Sequence, residues 1–212
     1  MSVEGEFFLS VTGSIEYAEL YDANNAYCKY GFHFGPDWST VAGIEEGLTQ
    51  MCNSSNDPRN LIVWNFPLDV TFKSTDPHGW PQLIMSIYGL DIFGHDVIRG
   101  YGVCYLPLQT GHHEKRLSVY VPESSSSLQR FAAWLTGRRP ELIDPAILAS
   151  GSGRERKAIS IFCFCLTIYI ISFFFIIAVT RMRTEGTVKL TFNAVLKDFF
   201  KLGYDNGEKN KT

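Results

Sequence analysis

From Phe7 to Tyr17 the apolar residues Phe7, Leu9, Val11, Ile15 and Tyr17 all fall on odd positions, the two-residue period of a strand with one face buried. The same period returns at Cys28, Tyr30, Phe32 and Phe34, at Leu83, Met85 and Ile87, at Val97, Tyr101, Val103 and Tyr105, and at Leu117, Val119 and Val121. It is clearest in Ile62, Trp64, Phe66, Leu68, Val70 and Phe72, where Asn65, Pro67, Asp69, Thr71 and Lys73 make a mostly polar second face. Pro67 has no N–H to give a neighbouring strand, so this run is expected at an edge or broken by a bulge. A last run, Val188, Leu190, Phe192, Ala194 and Leu196, closes the pattern, with a strand expected over Thr187 to Lys197. About seven short strands, separated by turns rich in Gly, Pro, Asp and Asn, predict an all-β, antiparallel sandwich or barrel rather than β-α-β units.

One helix is predicted, over 126–136. It follows Pro122 and the serines Ser124 to Ser127, carries Leu128, Phe131, Ala132 and Leu135 on one face, and stops at Gly137. The serines are read as cap and loop rather than as a phosphorylation site. Residues 138–154 read as a long, partly ordered connection.

The character then changes. Ala158 to Thr180 holds no charged residue, and at about 1.5 Å per residue a helix of that length would cross a bilayer core of about 30 Å. Arg154, Arg156 and Lys157 precede it and Arg181 and Arg183 follow, so the flanking charges give no orientation. Three readings stay open: a membrane span, an excursion inserted at a loop, and translated intron sequence. One span would put the strand after Thr187 across the bilayer from the strands it must pair with, which favours the excursion.

The 212 residues fit one domain, and a net charge of -3 with acids and bases interspersed excludes general binding to nucleic-acid backbones. Five cysteines, Cys28, Cys52, Cys104, Cys163 and Cys165, are an odd number at irregular spacing and are expected as free thiols in a reducing compartment. Gly151-Ser152-Gly153 is not a nucleophile elbow, and a phosphate-binding loop is absent from the sequence. His112-His113-Glu114 sets two imidazoles side by side rather than one helical turn apart, so the pair is read as a solvated loop instead of a metal site. Asp69, Asp76, Asp91 and Asp96 fall near strand ends and could in principle converge on calcium, but the dense ligand run that the ion needs is missing and turn roles are expected. Trp38, Trp64, Trp80 and Trp134 are expected as core or interface anchors.

Longer stretches carry a resemblance. Val63 to Thr75, then Gly79-Trp80-Pro81-Gln82, Tyr88-Gly89, Asp91, Phe93-Gly94, Arg99-Gly100-Tyr101-Gly102 and Leu106-Pro107 closely resemble the B9-domain family. Tyr27 to Tyr30, Asp37-Trp38 and Gly43 to Gly47 upstream, and Val121-Pro122-Glu123, Gly137 to Glu141, Gly153-Arg154-Glu155 and Lys201 to Asp205 downstream, continue it. The resemblance implies one domain over residues 6–205, interrupted by the apolar insertion at 157–180 and followed by a polar tail at 206–212. It also implies a sandwich similar to C2 domains, without catalytic, cofactor-binding or metal-binding residues and without a small-molecule substrate.

The partners that it implies are other B9-domain proteins, in a complex at the transition zone and basal body of the cilium. There the complex sits on the cytoplasmic face, supports ciliogenesis, and limits which membrane proteins enter. Members of the group are linked to Meckel syndrome. Two alternatives are a peripheral phospholipid-binding module and a single-pass membrane-anchored variant.

Overall fold

A computed structural model describes residues 5–21, 23–91, 94–123, 141–142, 145–149 and 181–204. The strands are β1 (Phe7–Leu20), β2 (Asn25–His33), β3 (Trp38–Gly43), β4 (Glu46–Leu48), β5 (Cys52–Asn53), β6 (Leu61–Ser74), β7 (Gln82–Leu90), β8 (Asp96–Tyr105), β9 (Gly111–Glu123) and β10 (Arg181–Lys197). Every pairing is antiparallel, in the order β3-β6-β1-β10-β9-β8-β7-β2-β4, with β5 also on β2. The predicted helix at 126–136 and the apolar run at 158–180 lie outside the described residues. Among the described residues, helix is confined to short 3-10 turns at Pro145–Leu148 and Phe200–Leu202, and none is long and apolar enough to cross a membrane.

The ladder is continuous but folds over on itself. Between β8 and β9 the register is a single pair, Tyr101 opposite Tyr120. A Cβ on Gly100 would stand 2.2 Å from Val119 Cγ1, and one on Gly102 would stand 2.8 Å from Leu117 Cδ2. Glycine at these two places lets β8 tuck against β9 while the sheet turns a corner. One layer is therefore β3-β6-β1-β10-β9 and the other β8-β7-β2 with β4 and β5.

The alternating residues of the sequence line the space between the layers. Phe7, Leu9, Val11 and Ile15 of β1, Ile62, Trp64, Leu68, Val70 and Phe72 of β6, Leu83, Met85 and Ile87 of β7, and Val188, Leu190 and Phe192 of β10 are buried together. Aromatic rings cross the gap: Tyr30 meets Phe66 at 5.7 Å between centroids, and Phe32 meets Phe72 edge-on at 5.6 Å.

Pro67 is accommodated in the way its missing donor demands. β3 pairs only with Val70 to Ser74, so β6 is an outer strand at Pro67. Two residues earlier, Asn65 takes a left-handed conformation (φ 45°) in a bulge, where Ile15 faces Phe66 but Tyr17 faces Val63.

The closing strand is longer than its sequence pattern predicts. Arg181 to Gly186 already belongs to it, paired with β9 from Glu123 to Val119, and β1 takes its other edge from Leu20 to Phe8. Strands β3, β4 and β5 have no counterpart in the alternating pattern, because β3 and β4 lie on the rim and expose most of their residues.

Trp64 joins the layers directly. It is 2% exposed, and its indole N–H donates to the Ala26 carbonyl of β2 at 3.1 Å. Trp64→Ala should cost about 3–5 kcal/mol, the range for truncating a buried aromatic ring. Urea titration followed by circular dichroism would read this as an early unfolding midpoint; an unchanged midpoint together with lost partner binding would assign the ring to an interface instead.

Candidate interaction surface

The four aspartates considered for calcium are dispersed. Asp69 lies in β6 opposite Thr12, with its side chain on the solvent face. Asp76 shapes the turn after β6, accepting hydrogen bonds at Oδ1 from the His78 backbone N–H at 2.9 Å and from its Nδ1 at 2.6 Å. Asp91 accepts from the His95 backbone N–H at 2.8 Å in the β7–β8 turn, and Asp96 opens β8 beside the Tyr27 hydroxyl. Asp76 and the Asp91/Asp96 pair stand in the turns at opposite ends of β7, a nine-residue strand roughly 26 Å long. Among the described residues no group of three or more His, Cys, Asp or Glu side chains could hold a metal ion.

The His112-His113 pair stands on β9, which corrects its reading as a loop. The strand sends the two rings to opposite faces: His112 Nδ1 meets Asn193 Oδ1 of β10 at 2.8 Å, and His113 Nε2 meets the Gln109 carbonyl at 2.8 Å. Glu114 is held by Lys189, which also reaches Glu16, at 3.3 and 3.0 Å. Hydrogen bonding to Glu16 raises the Lys189 pKa first, with Glu114 adding to it.

Three tryptophans act as fasteners. Trp38 donates to the His78 carbonyl at 2.8 Å, Trp64 to Ala26, and Trp80 to the Leu106 carbonyl at 3.1 Å. Trp38 and Trp80 pack edge-on at 5.0 Å, and Phe7 and Phe199 complete a cluster at this end of the sandwich. These are core roles, so the anchors expected for either core or interface are committed inside. Trp134, Ser124 to Ser127, Gly151-Ser152-Gly153, Cys163 and Cys165 lie outside the described residues.

The thiols are similarly withdrawn. Burial pushes Cys28 up to about 12 and Cys104 up to about 11. Both stay protonated near neutrality and are poor nucleophiles.

The two outer faces differ. On the layer containing β7 and β8, residues 141–142 and 145–149 lie against the sheet, which is the ordered part of the connection expected to be partly ordered. The Leu142 backbone N–H donates to the Tyr101 hydroxyl at 2.8 Å, Tyr88 donates to Glu141 at 2.7 Å, and Gln82 Nε2 donates to the Ala149 carbonyl at 2.9 Å. Tyr27 stacks on Tyr88 at 5.4 Å beside this segment. Burial pushes the Tyr101 hydroxyl up to about 12.

The opposite outer face carries Ser10, Ser14, Thr71 and Thr191, joined by the pairs Ser14–Thr191 at 2.8 Å and Thr71–Ser10 at 3.1 Å. Sequence reading gave residues 141–149 only as part of a partly ordered connection, although Leu142, Ile143, Ala146, Ile147, Leu148 and Ala149 make this stretch mostly apolar.

The geometry thus defines an antiparallel β-sandwich whose described polar groups mostly serve the fold. A family model described as "Ciliary basal body-associated, B9 protein" matches residues 9–168. The chain is similar to B9 domain-containing protein 1 of Mus musculus and of Homo sapiens, 47% identical to each over 95% of this chain and 87% of theirs. It is 30% identical to B9 domain-containing protein 2 of Rattus norvegicus, over 69% of this chain and 82% of that one. A solved C2 domain of plant extended synaptotagmin 1 covers 87% of the chain and 92% of its own length, at a TM-score of 0.40 and 11% identity, a likeness that carries no argument. The chain belongs to the B9 domain family.

Two outcomes are expected. Alkylation of native protein at pH 8, mapped by mass spectrometry, should spare Cys28 and Cys104 until denaturant is added. The His78–Asp76 pair should titrate as a unit: hydrogen bonding from Asp76 raises His78, and bonds from the His78 backbone and ring lower Asp76. Its contribution is complete between the ordinary carboxylate and ordinary imidazole values, and is lost as pH rises through the raised His78 value or falls through the lowered Asp76 value. Asp76→Asn should move the His78 ring titration, followed by NMR, down toward an ordinary histidine.

Proposed function

We propose that this chain is a non-catalytic assembly subunit of the ciliary transition-zone complex, binding other B9-domain proteins on the cytoplasmic side of the membrane. In that role it supports ciliogenesis and the gating of membrane-protein entry. The observation that carries this reading is family membership across nearly the whole chain, at 47% identity to B9 domain-containing protein 1. The structure supports it physically: Trp38, Trp64 and Cys28 are buried in the core, Trp80 and Cys104 pack against it, and the described polar clusters are turn and sheet contacts.

A phospholipid-binding role has less support. The turns at the two ends hold Asp37 and Asp76 at one and Asp57, Asp91 and Asp96 at the other, and carboxylates repel anionic headgroups.

The position of β10 bears on membrane topology. Because β10 is paired with β1 and β9 along both edges, the chain leaving Ala149 and the chain returning at Arg181 belong to the same aqueous phase. One crossing between them would break both ladders. We therefore read the insertion as an excursion from the sandwich.

Pull-down of the same organism's B9 domain-containing protein 2 by the purified chain should succeed equally with calcium and with chelator. Failure to bind in either condition would sink the assembly reading, and loss in chelator alone would sink its calcium independence. Alkaline carbonate should extract the protein from membranes; retention in the pellet would favour an integral span.

A further inference from the structure

The two ends of the strand order, β3 and β4, are consecutive in the chain and separated only by Ile44 and Glu45. Residues 38–53 therefore form a border that runs from the rim of one layer to the rim of the other. Ile44 N–H donates to the Asp69 carbonyl and Gln50 Nε2 to the Trp64 carbonyl, which ties the border to β6, and Phe32 N–H donates to the Glu45 carbonyl on the β2 side. The outward edges of β3 and β4 have no strand beside them among the described residues.

This border carries a row of exposed apolar side chains: Val41 at 52%, Ile44 at 64%, Leu48 at 57% and Met51 at 46%. Lysine and proline, which blunt many native edges, are absent from Trp38 to Asn53, and blunting here is limited to a bulge in β3 between Thr40 and Ala42 and the three-residue length of β4. Between the apolar residues stand Glu45 and Glu46, both exposed and neither in an ion pair among the described residues.

We propose that the 38–53 border is the docking edge for an extended strand of a second B9-domain protein, one whose side chains alternate apolar and basic. The proposal rests on the assembly reading given above. Backbone groups of β3 or β4 would supply ladder hydrogen bonds, Ile44 and Leu48 the apolar contact, and Glu45 and Glu46 the charge that selects the partner. The same acids argue against a second copy of this chain, because a two-fold pairing of this edge with itself would bring Glu45 and Glu46 against their own kind. They argue equally against an anionic membrane.

The test uses the full chain and the same organism's B9 domain-containing protein 2, with affinity measured by titration calorimetry at two salt concentrations. The double variant Ile44→Lys with Leu48→Lys should weaken binding about tenfold or more, as loss of central contacts does. Glu45→Lys with Glu46→Lys should weaken it comparably and flatten its salt dependence. Val195→Lys, on the polar outer face, should stay within about twofold of the parent, the size of a surface change away from the contact. All the altered residues are exposed, so unfolding midpoints should match the parent and separate misfolding from lost contact.

If the parent binds and both double variants bind as well as it does, the border is not the docking edge while the assembly reading stands. If the parent does not bind at all, the assembly reading itself fails. Self-association of the parent that the Ile44→Lys, Leu48→Lys variant abolishes would overturn the choice of occupant.

Discussion

The structure depends on one pairing requirement: β10, the last strand in sequence, lies inside the sheet and must find partners along both of its edges. Its register runs from Gly186 to Lys197 against β1 and from Arg181 to Ala194 against β9. A strand in that position cannot be lost or displaced without leaving two rows of backbone groups unpaired in an interior where each unmet group is costly. The family match ends at residue 168, yet the core it describes is closed by residues beyond it. Whatever path the apolar residues between 157 and 180 take, the chain after them must return to this place in the sheet. The ladder fixes the chain from Arg181 onward and Gln82 holds it at Ala149, and the length of a loop enters closure entropy only logarithmically.

Legibility in the sequence followed burial. Where a strand has one face in the core and one in water, as β1, β6 and β10 do, alternation announces it, and the expected runs and the structure agree on those elements. Where a strand lies on the rim, the signal disappears. Ser39 to Gly43 is mostly exposed on both sides, so apolar and polar positions carry no period there. His112 and His113 were misplaced for a related reason: they begin β9 beyond the part of the strand that covers the core, where only pairing with Asn193 and Phe192 defines the strand. Pro67 was informative because its constraint is covalent, and a bulge and an open edge both occur beside it.

The aromatic residues show why distinctive sequence words need not mark binding sites. Trp38 and Trp64 bury a large ring, Trp80 packs one against the core, and each directs its N–H to a backbone carbonyl of another segment. An indole placed this way removes an unpaired acceptor and fixes the distance between segments, two tasks that smaller apolar residues cannot combine. Close packing of the turns imposes a matching constraint on glycine. Gly79, at φ 69°, brings its Cα so near Gly35 that a Cβ on Gly79 would stand 2.6 Å from the Gly35 Cα. The words Asp37-Trp38 and Gly79-Trp80 therefore meet in one turn cluster.

Surface function then falls to what the fold leaves uncommitted. One outer face is met by the chain's own residues 141–142 and 145–149, which bond to Tyr101, Tyr88 and Gln82. The other is a hydroxyl-rich sheet whose side chains already bond to each other, so a partner would have to replace those contacts for little net gain. The corner between β8 and β9 is closed by Gly100 and Gly102 packing against Val119 and Leu117. The border from β3 to β5 remains. It has free edge and apolar side chains, and its two acids are unpaired among the described residues. A sheet that curls until its first and last strands are neighbours in sequence concentrates its open edges in one place. Among the described residues, that geometry gathers the two open edges of the sheet along one border of the sandwich.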